Sequence, residues 1–260
     1  MGGAAESRRA LVTGASSGLG RALAAWLAAR GVTVVAAARR RAQLEELREE
    51  AARGGGAIEP LELDVADVAA VRERLLEIDG RDGGLDLVVA NAGAGEITSA
   101  RKLDWEACER ILRVNVLGAA ATLTAALPGM LARNRGHLVA IASIAAVRGL
   151  PNNAAYGGSK AFLRTFMESL RVDLSTTGVK TTCVFPGFVK SEMTAHNRFA
   201  MPFLLDSDDA AARIGRAIFA QRAELWFPWQ MGLLARALGL LPSSLYVRLG
   251  RRMSPKRKRG

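Results

Sequence analysis

The sequence is poor in the residues that staple or metallate small proteins. Its 260 residues include two cysteines, Cys108 and Cys183, and two histidines, His137 and His196. The cysteines stand far apart, no CxxC spacing occurs, and no His/Cys cluster has the separation of a zinc site, so neither disulfides nor a metal are expected. The N-terminal stretch MGGAAESRR lacks the apolar run of a secretory signal. Glu6 stands where a myristoylation motif needs Ser or Thr. These absences point to a cytoplasmic protein. No internal repeat or linker divides the chain, and half of it is hydrophobic, enough for one large core. We read residues 1–7 as a flexible N-terminus, 8–228 as one domain and 229–260 as a tail.

Acids are missing from one region only. From Leu225 to the end there are eight Lys or Arg and no Asp or Glu, which leaves 28 basic and 25 acidic groups in residues 1–224. The net charge of +11 therefore sits mostly in the tail. A nearly balanced body lacks the one-sided basicity of a nucleic-acid-binding face, so nucleic acid is not expected as a partner.

What the chain does have is an alternation. ALVTG, VTVVAAA, AIEPLELDV, LDLVVANAG, GHLVAIAS and VKTTCVFPG read as strands, with ELWFP as a seventh, and amphipathic segments at 40–52, 67–79, 104–133, 155–177 and 207–222 lie between them. This pattern predicts βαβ units and an α/β fold: one Rossmann-type, doubly wound parallel sheet with helices on both faces. Several strands are apolar on both faces, as a sheet covered on both sides requires.

The first strand runs into TGASSGLG, residues 13–20, and then into the helical RALAAWLAARG. Gly14, Gly18 and Gly20 permit a sharp turn, close approach to a pyrophosphate and tight helix packing, while the helix N-terminus offers unpaired N–H groups to an anion. With Ser16, Ser17 and Leu19 between them, they form the expected dinucleotide-binding loop. About twenty residues further on, an NAD site places a carboxylate for the ribose hydroxyls. Here Ala38 is followed by Arg39 and Arg40. Their planar forks suit an extra 2′-phosphate, so NADP(H) is expected over NAD(H), although a solvated basic helix start reads the same way.

In AAYGGSKAFL, residues 154–163, Tyr156 precedes Lys160 by four residues. On a helix both side chains share a face, where the lysine's charge can favour the phenolate of a group that otherwise titrates near ~10. Taken alone, the same spacing also fits a solvated helix face.

These motifs occur together and in order. TGxxxGxG near the N-terminus, NAG at 91–93, Asn115 in RVNVLG, Ser143 in IAS, YGGSK at 156–160 and PGFVKSEM at 186–193 resemble the classical short-chain dehydrogenases/reductases, over roughly residues 8–228. The resemblance implies that Tyr156 is the general acid or base, that Lys160 lowers its pKa and holds the nicotinamide ribose, and that Ser143 hydrogen-bonds the substrate oxygen. It implies that Asn115 helps hold a water in a proton relay. For the cofactor it implies Asp64 and Val65 at the adenine, Asn91, Ala92 and Gly93 along the fourth strand's end, and Pro186, Gly187 and Val189 at the nicotinamide. Ser191 stands where the family often has Thr and keeps the hydroxyl. A homodimer or homotetramer, built by the helices at 104–133 and 155–177, is implied as well.

The segment 194–209, TAHNRFAMPFLLDSDD, is expected to cover the substrate. Phe188, Met193, Phe199, Met201, Phe203, Leu204 and Leu205 suit a hydrophobic ketone, aldehyde or alcohol, or simply pack beneath the cover. His196 is expected to be an exposed loop residue. The tail is apolar and aromatic, then strongly basic, and Arg236 and Pro242 break it into pieces too short to span a membrane. It is expected either to pack on the body or on a second subunit, or to lie on anionic lipid through Trp226, Trp229 and the terminal cations. Two functions follow. One is an NADP(H)-dependent oxidoreductase; the other is a non-catalytic NADP(H) sensor that acts through the basic tail.

Overall fold

The computed structural model describes residues 8–96, 100, 104–195 and 200–253. The N-terminal seven residues, His196, Phe199 and the last basic run lie outside the described residues.

All seven expected strands form, and every pairing between them is parallel. The chain runs β1 (Arg9–Thr13), α1 (Gly18–Ala28), β2 (Thr33–Ala38), α2 (Arg41–Arg53), β3 (Ile58–Glu62), α3 (Val68–Asp79) and β4 (Leu87–Ala90). It continues through α4 (Trp105–Leu112), α5 (Ala119–Ala125), α6 (Leu127–Ala132), β5 (Gly136–Ile141), α7 (Ala154–Asp173) and β6 (Val179–Pro186). The last elements are α8 (Glu192–Ala195), α9 (Ser207–Phe219), β7 (Glu224–Phe227), α10 (Trp229–Gly239) and α11 (Ser243–Met253).

Strand order is β3-β2-β1-β4-β5-β6-β7, so the direction of winding reverses between β1 and β4. A crevice opens at the carboxyl ends of strands where the order reverses. Alternation along the strands sorts their side chains into two cores. Ala10, Val12, Val34, Ala36, Val89 and Val184 pack with Leu23, Leu27, Leu44 and Ile214 of α1, α2 and α9. Leu11, Val35, Val88, Leu138 and Phe185 point the other way, onto Val71, Leu75, Leu123 and Leu163 of α3, α5 and α7.

The 104–133 segment departs from the single helix its periodicity suggests. A π-helical turn, Arg113–Gly118, separates α4 from α5, and a further break sets off α6. By length and hydropathy alone, Trp105–Ala132 would suffice to cross a membrane, but half of its most apolar window is buried in the fold. It is a core helix with exposed apolar positions at Trp105, Leu112, Leu117 and Leu131. The tail likewise forms two helices. One face of α10 lies on β7, where Gly232 sits against Trp226.

Candidate active site

The crevice begins at the loop after β1. Gly14 has φ of +70°, and a Cβ there would stand 2.8 Å from Ala92 Cα. Gly20 is closer still: an added Cβ would run into the Gly14 carbonyl and the Asn91 amide. Both positions therefore require glycine, because the loop is pressed against the end of β4. Asn91 completes that junction by donating Nδ2 to the Thr13 carbonyl at 2.8 Å, while Thr13 Oγ1 accepts from the backbone N–H groups of Asn91 and Ala92 at 3.1 Å each. Thr13 is thus a site residue that its motif position hid, since it works on the strand ends and not on a ligand.

The first turn of α1 contains no acid, and its N-cap Ser17 makes no side-chain capping bond. Its N–H groups are left for an anion. The loop opens into a cleft of about 730 Å³ lined by Gly14, Ser16, Ser17, Gly18, Leu19, Gly20, Arg39, Arg40, Asp64, Val65, Asn91, Ala92 and Gly93. Tyr156, Lys160, Pro186, Gly187, Val189 and Ser191 line the same cleft. Every residue expected at the cofactor is therefore brought to one continuous surface. Two cations, an open helix N-terminus and a glycine cradle fit a phosphorylated dinucleotide. Asp64 also makes a local turn, its Oδ1 accepting from Ala66 N at 3.0 Å.

Arg40 shows a feature that linear reading missed. Its guanidinium donates to Ser16 Oγ at 3.1–3.2 Å and meets the Glu192 carboxylate at 2.9 Å. Glu192, at the start of α8, also accepts a hydrogen bond from Ser17, and these contacts, Arg40 first, hold its carboxyl below the usual range. A carboxylate of the chain thus rests on the cation and hydroxyl that the sequence suggested for phosphate. No local signal marks the pair, because its partners are 152 residues apart.

At the other end of the cleft, α7 presents Tyr156 and Lys160 as the helical spacing requires. Burial pushes the Tyr156 phenol above its ordinary 10, and a hydrogen bond to Ser143 opposes that rise. The expected lowering by Lys160 is not found. The ammonium stands 5.7 Å from the tyrosine ring centroid and donates to the Ile141 carbonyl at 2.8 Å. Burial brings its own pKa down from 10.5 to about 8, so it remains largely charged at neutral pH. Ser143, two residues beyond β5, is buried beside the cleft as the cap of a short 3₁₀ turn, Ile144–Ala146, its Oγ accepting from Ala145 N at 3.1 Å.

Asn115 lies behind the cleft wall, fully buried in the π-helical turn. Its Oδ1 accepts from Ala94 N at 2.7 Å, and its Nδ2 donates to Ala94 O and to Ser159 Oγ, both at 2.9 Å. Ser159 in turn donates to the Tyr156 carbonyl at 2.7 Å. Asn115 therefore ties the loop after β4 to the helix that carries the tyrosine. The apolar residues expected over the substrate are dispersed. Among those described, Met193 lines the cleft, Leu205 packs into the core, and Phe203 and Leu204 are exposed.

Comparison with known proteins bears on these observations. A family model described as short chain dehydrogenase matches residues 8–201. The uncharacterized oxidoreductase of Myxococcus xanthus (strain DK1622) is 56% identical over 246 residues, covering 95% of this chain and 97% of its own. A short-chain dehydrogenase from Sphingobium yanoikuyae, solved in complex with NADPH, superposes with a TM-score of 0.80 at 24% identity, over 97% of this chain and 98% of its own. The closed form of a serine dehydrogenase complexed with NADP+ is 30% identical with a TM-score of 0.74, over 84% of this chain and 94% of its own.

Proposed function

Because the chain belongs to the short-chain dehydrogenase/reductase family and is an oxidoreductase, we propose that it interconverts a hydrophobic ketone or aldehyde and its alcohol with NADP(H). The observation that carries this reading is the single cleft that joins Arg39 and Arg40 at one end to Tyr156 and Lys160 at the other. NADP bound to the serine dehydrogenase relative also supports the cofactor choice.

In this reading the loop from Gly14 to Gly20 holds the pyrophosphate and Arg39 and Arg40 the 2′-phosphate. Asp64 and Val65 border the adenine, Asn91 to Gly93 line the middle, Lys160 holds the nicotinamide ribose, and Pro186, Gly187, Val189 and Ser191 flank the nicotinamide. When bound, the cofactor supplies or accepts the hydride. The protein manages the proton. As the carbonyl carbon gains hydride, its oxygen gains negative charge and takes the proton of Tyr156, with Ser143 fixed as a second hydrogen-bonding partner. The phenolate left on Tyr156 faces the Lys160 ammonium, which lies 5.7 Å from its ring centroid and does not offset the rise that burial imposes on the phenol. In alcohol oxidation the same phenolate takes the hydroxyl proton.

We further read the protein as a cytoplasmic homodimer or homotetramer. Exposed Trp105, Leu112, Leu117 and Leu131, with Val172 on α7, supply apolar surface on the helices concerned. The test is Tyr156→Phe, assayed with NADPH and NADH against apolar ketones and aldehydes. Cofactor binding should persist while turnover falls by about a hundredfold or more. Unchanged turnover would refute the mechanism. Cofactor binding with no turnover of any carbonyl by the unaltered protein would favour the sensor.

A further inference from the structure

The tail is amphipathic in a direction the fold leaves unused. While α10 rests on β7, Trp229, Leu233, Ala237 and Leu240 follow one another at spacings of four, four and three, which aligns them along its outer face. Trp229 is 69% exposed, Leu233 63% and Leu240 87%. Leu245, Val247 and Leu249 of α11 are exposed as well. Arg248 is exposed three residues after Leu245 on α11, while Arg236 pairs with Glu224 at 3.4 Å and lies over Trp226; the sequence continues from α11 into SPKRKRG with no acid after Glu224. An exposed apolar face on a segment whose own charged residues are all cationic is complementary to a surface that offers hydrocarbon beneath a sheet of negative charge.

The two helices are also tied to the catalytic end of the cleft. Arg148 donates to the Leu241 carbonyl at 3.1 Å, and its guanidinium lies 4.6 Å from the Tyr246 ring centroid. The Tyr246 hydroxyl donates to the Gly149 carbonyl, and Gly239 sits against Val147. Val147, Arg148 and Gly149 belong to the loop that leads from Ser143 to the helix bearing Tyr156.

We propose that α10 and α11 dock on an anionic lipid surface, with the apolar stripe at the headgroup boundary and the cations against lipid phosphates. A lipophilic carbonyl substrate dissolved in that surface then reaches the Tyr156 end of the cleft directly. The second statement rests on the reductase reading; the first does not.

The experiment is sedimentation of the full-length protein with vesicles of phosphatidylcholine alone and of phosphatidylcholine with phosphatidylglycerol, at low and high salt. The combined variant Trp229→Ser, Leu233→Ser, Leu240→Ser is run beside it, with ultracentrifugation of both proteins. Binding is expected to the anionic vesicles only, to weaken with salt, and to fall about tenfold in the variant. The variant should keep turnover of a water-soluble ketone and lose rate on one dissolved in the vesicles. Absence of binding to anionic vesicles at low salt overturns the docking, as does full binding by the variant. A changed oligomeric state in the variant also overturns it, since a second copy would then cover the stripe. Vesicle binding without any turnover would leave the docking standing and refute the reductase reading, and turnover without vesicle binding does the reverse.

Discussion

Replacing Lys160 by Met offers a test that needs no substrate. The side chain is 4% exposed, and burial depresses its pKa from 10.5 to about 8. At about 1.4 kcal/mol per pKa unit, holding the charge in the fold costs roughly 3 kcal/mol at neutral pH. Met has a similar length and no charge, so the variant escapes that cost, while the Ile141 carbonyl loses its Lys160 donor at about 1–3 kcal/mol. The balance at pH 7 is a variant of equal or modestly higher stability.

The pH dependence is the sharper quantity. Below about 8 the lysine is protonated both folded and unfolded, and stability does not change on its account. Between about 8 and 10.5 the unfolded chain holds a proton that the folded protein has released, so wild-type stability rises through this window. Urea denaturation of both proteins at one concentration, across pH 7 to 10, should show the variant's advantage shrinking by roughly 2–3 kcal/mol above pH 8. The Cys183 thiol, which burial pushes up to about 12, titrates in both proteins and drops out of the difference. A stability difference that stays flat above pH 8 would refute the buried ammonium. The same titration predicts that carbonyl reduction declines as pH rises through about 8, because Lys160 loses its charge while the Tyr156 phenol stays protonated.

Three further outcomes test the cofactor end of the cleft. Arg39→Ala or Arg40→Ala should raise the KM for NADPH about tenfold or more and leave that for NADH nearly unchanged, as steady-state kinetics would show. Glu192→Gln removes the carboxylate that engages Arg40 across an exposed pair. It should tighten 2′,5′-ADP by about two- to fivefold in calorimetric titration, the range for a surface ion pair, and weaker binding would mean that Glu192 helps to hold the ligand. Gly20→Ala drives a methyl into the Gly14 carbonyl and the Asn91 amide, so thermal unfolding should show about 1–3 kcal/mol of lost stability and nucleotide titration a matching loss of affinity.

The sheet was legible because its signal is local. Each strand is a short apolar run, and the loop after β1 stands directly between a strand and a helix, where its glycines mark a tight turn. Tyr156 and Lys160 were singled out by the family resemblance, because their spacing of one helical turn alone also fits a solvated face. The pair of Arg40 and Glu192 was not, nor was the junction of Thr13 with Asn91, because each depends on which strand ends the fold brings together. The periodicity of 104–133 survives the π-helical turn almost intact, so nothing in it marks the break that carries Asn115. The environment of Lys160 was misjudged for a related reason. Spacing places the ammonium near the phenol, but the depth of burial and the Ile141 carbonyl decide where its charge points.

The junction between Thr13 and Asn91 also bears on how the protein is made. β1 leaves the ribosome long before β4, yet the glycine loop is held against Asn91 and Ala92 of the later strand's end. Residues 8–80 can therefore form their first βαβ units during synthesis without possessing a finished nucleotide cradle. A nucleotide bound at this loop could not serve as a template before β4 is made. Any stabilisation by a ligand held there begins only once β4 has inserted beside β1, with the β3-β2-β1-β4 half of the sheet in place.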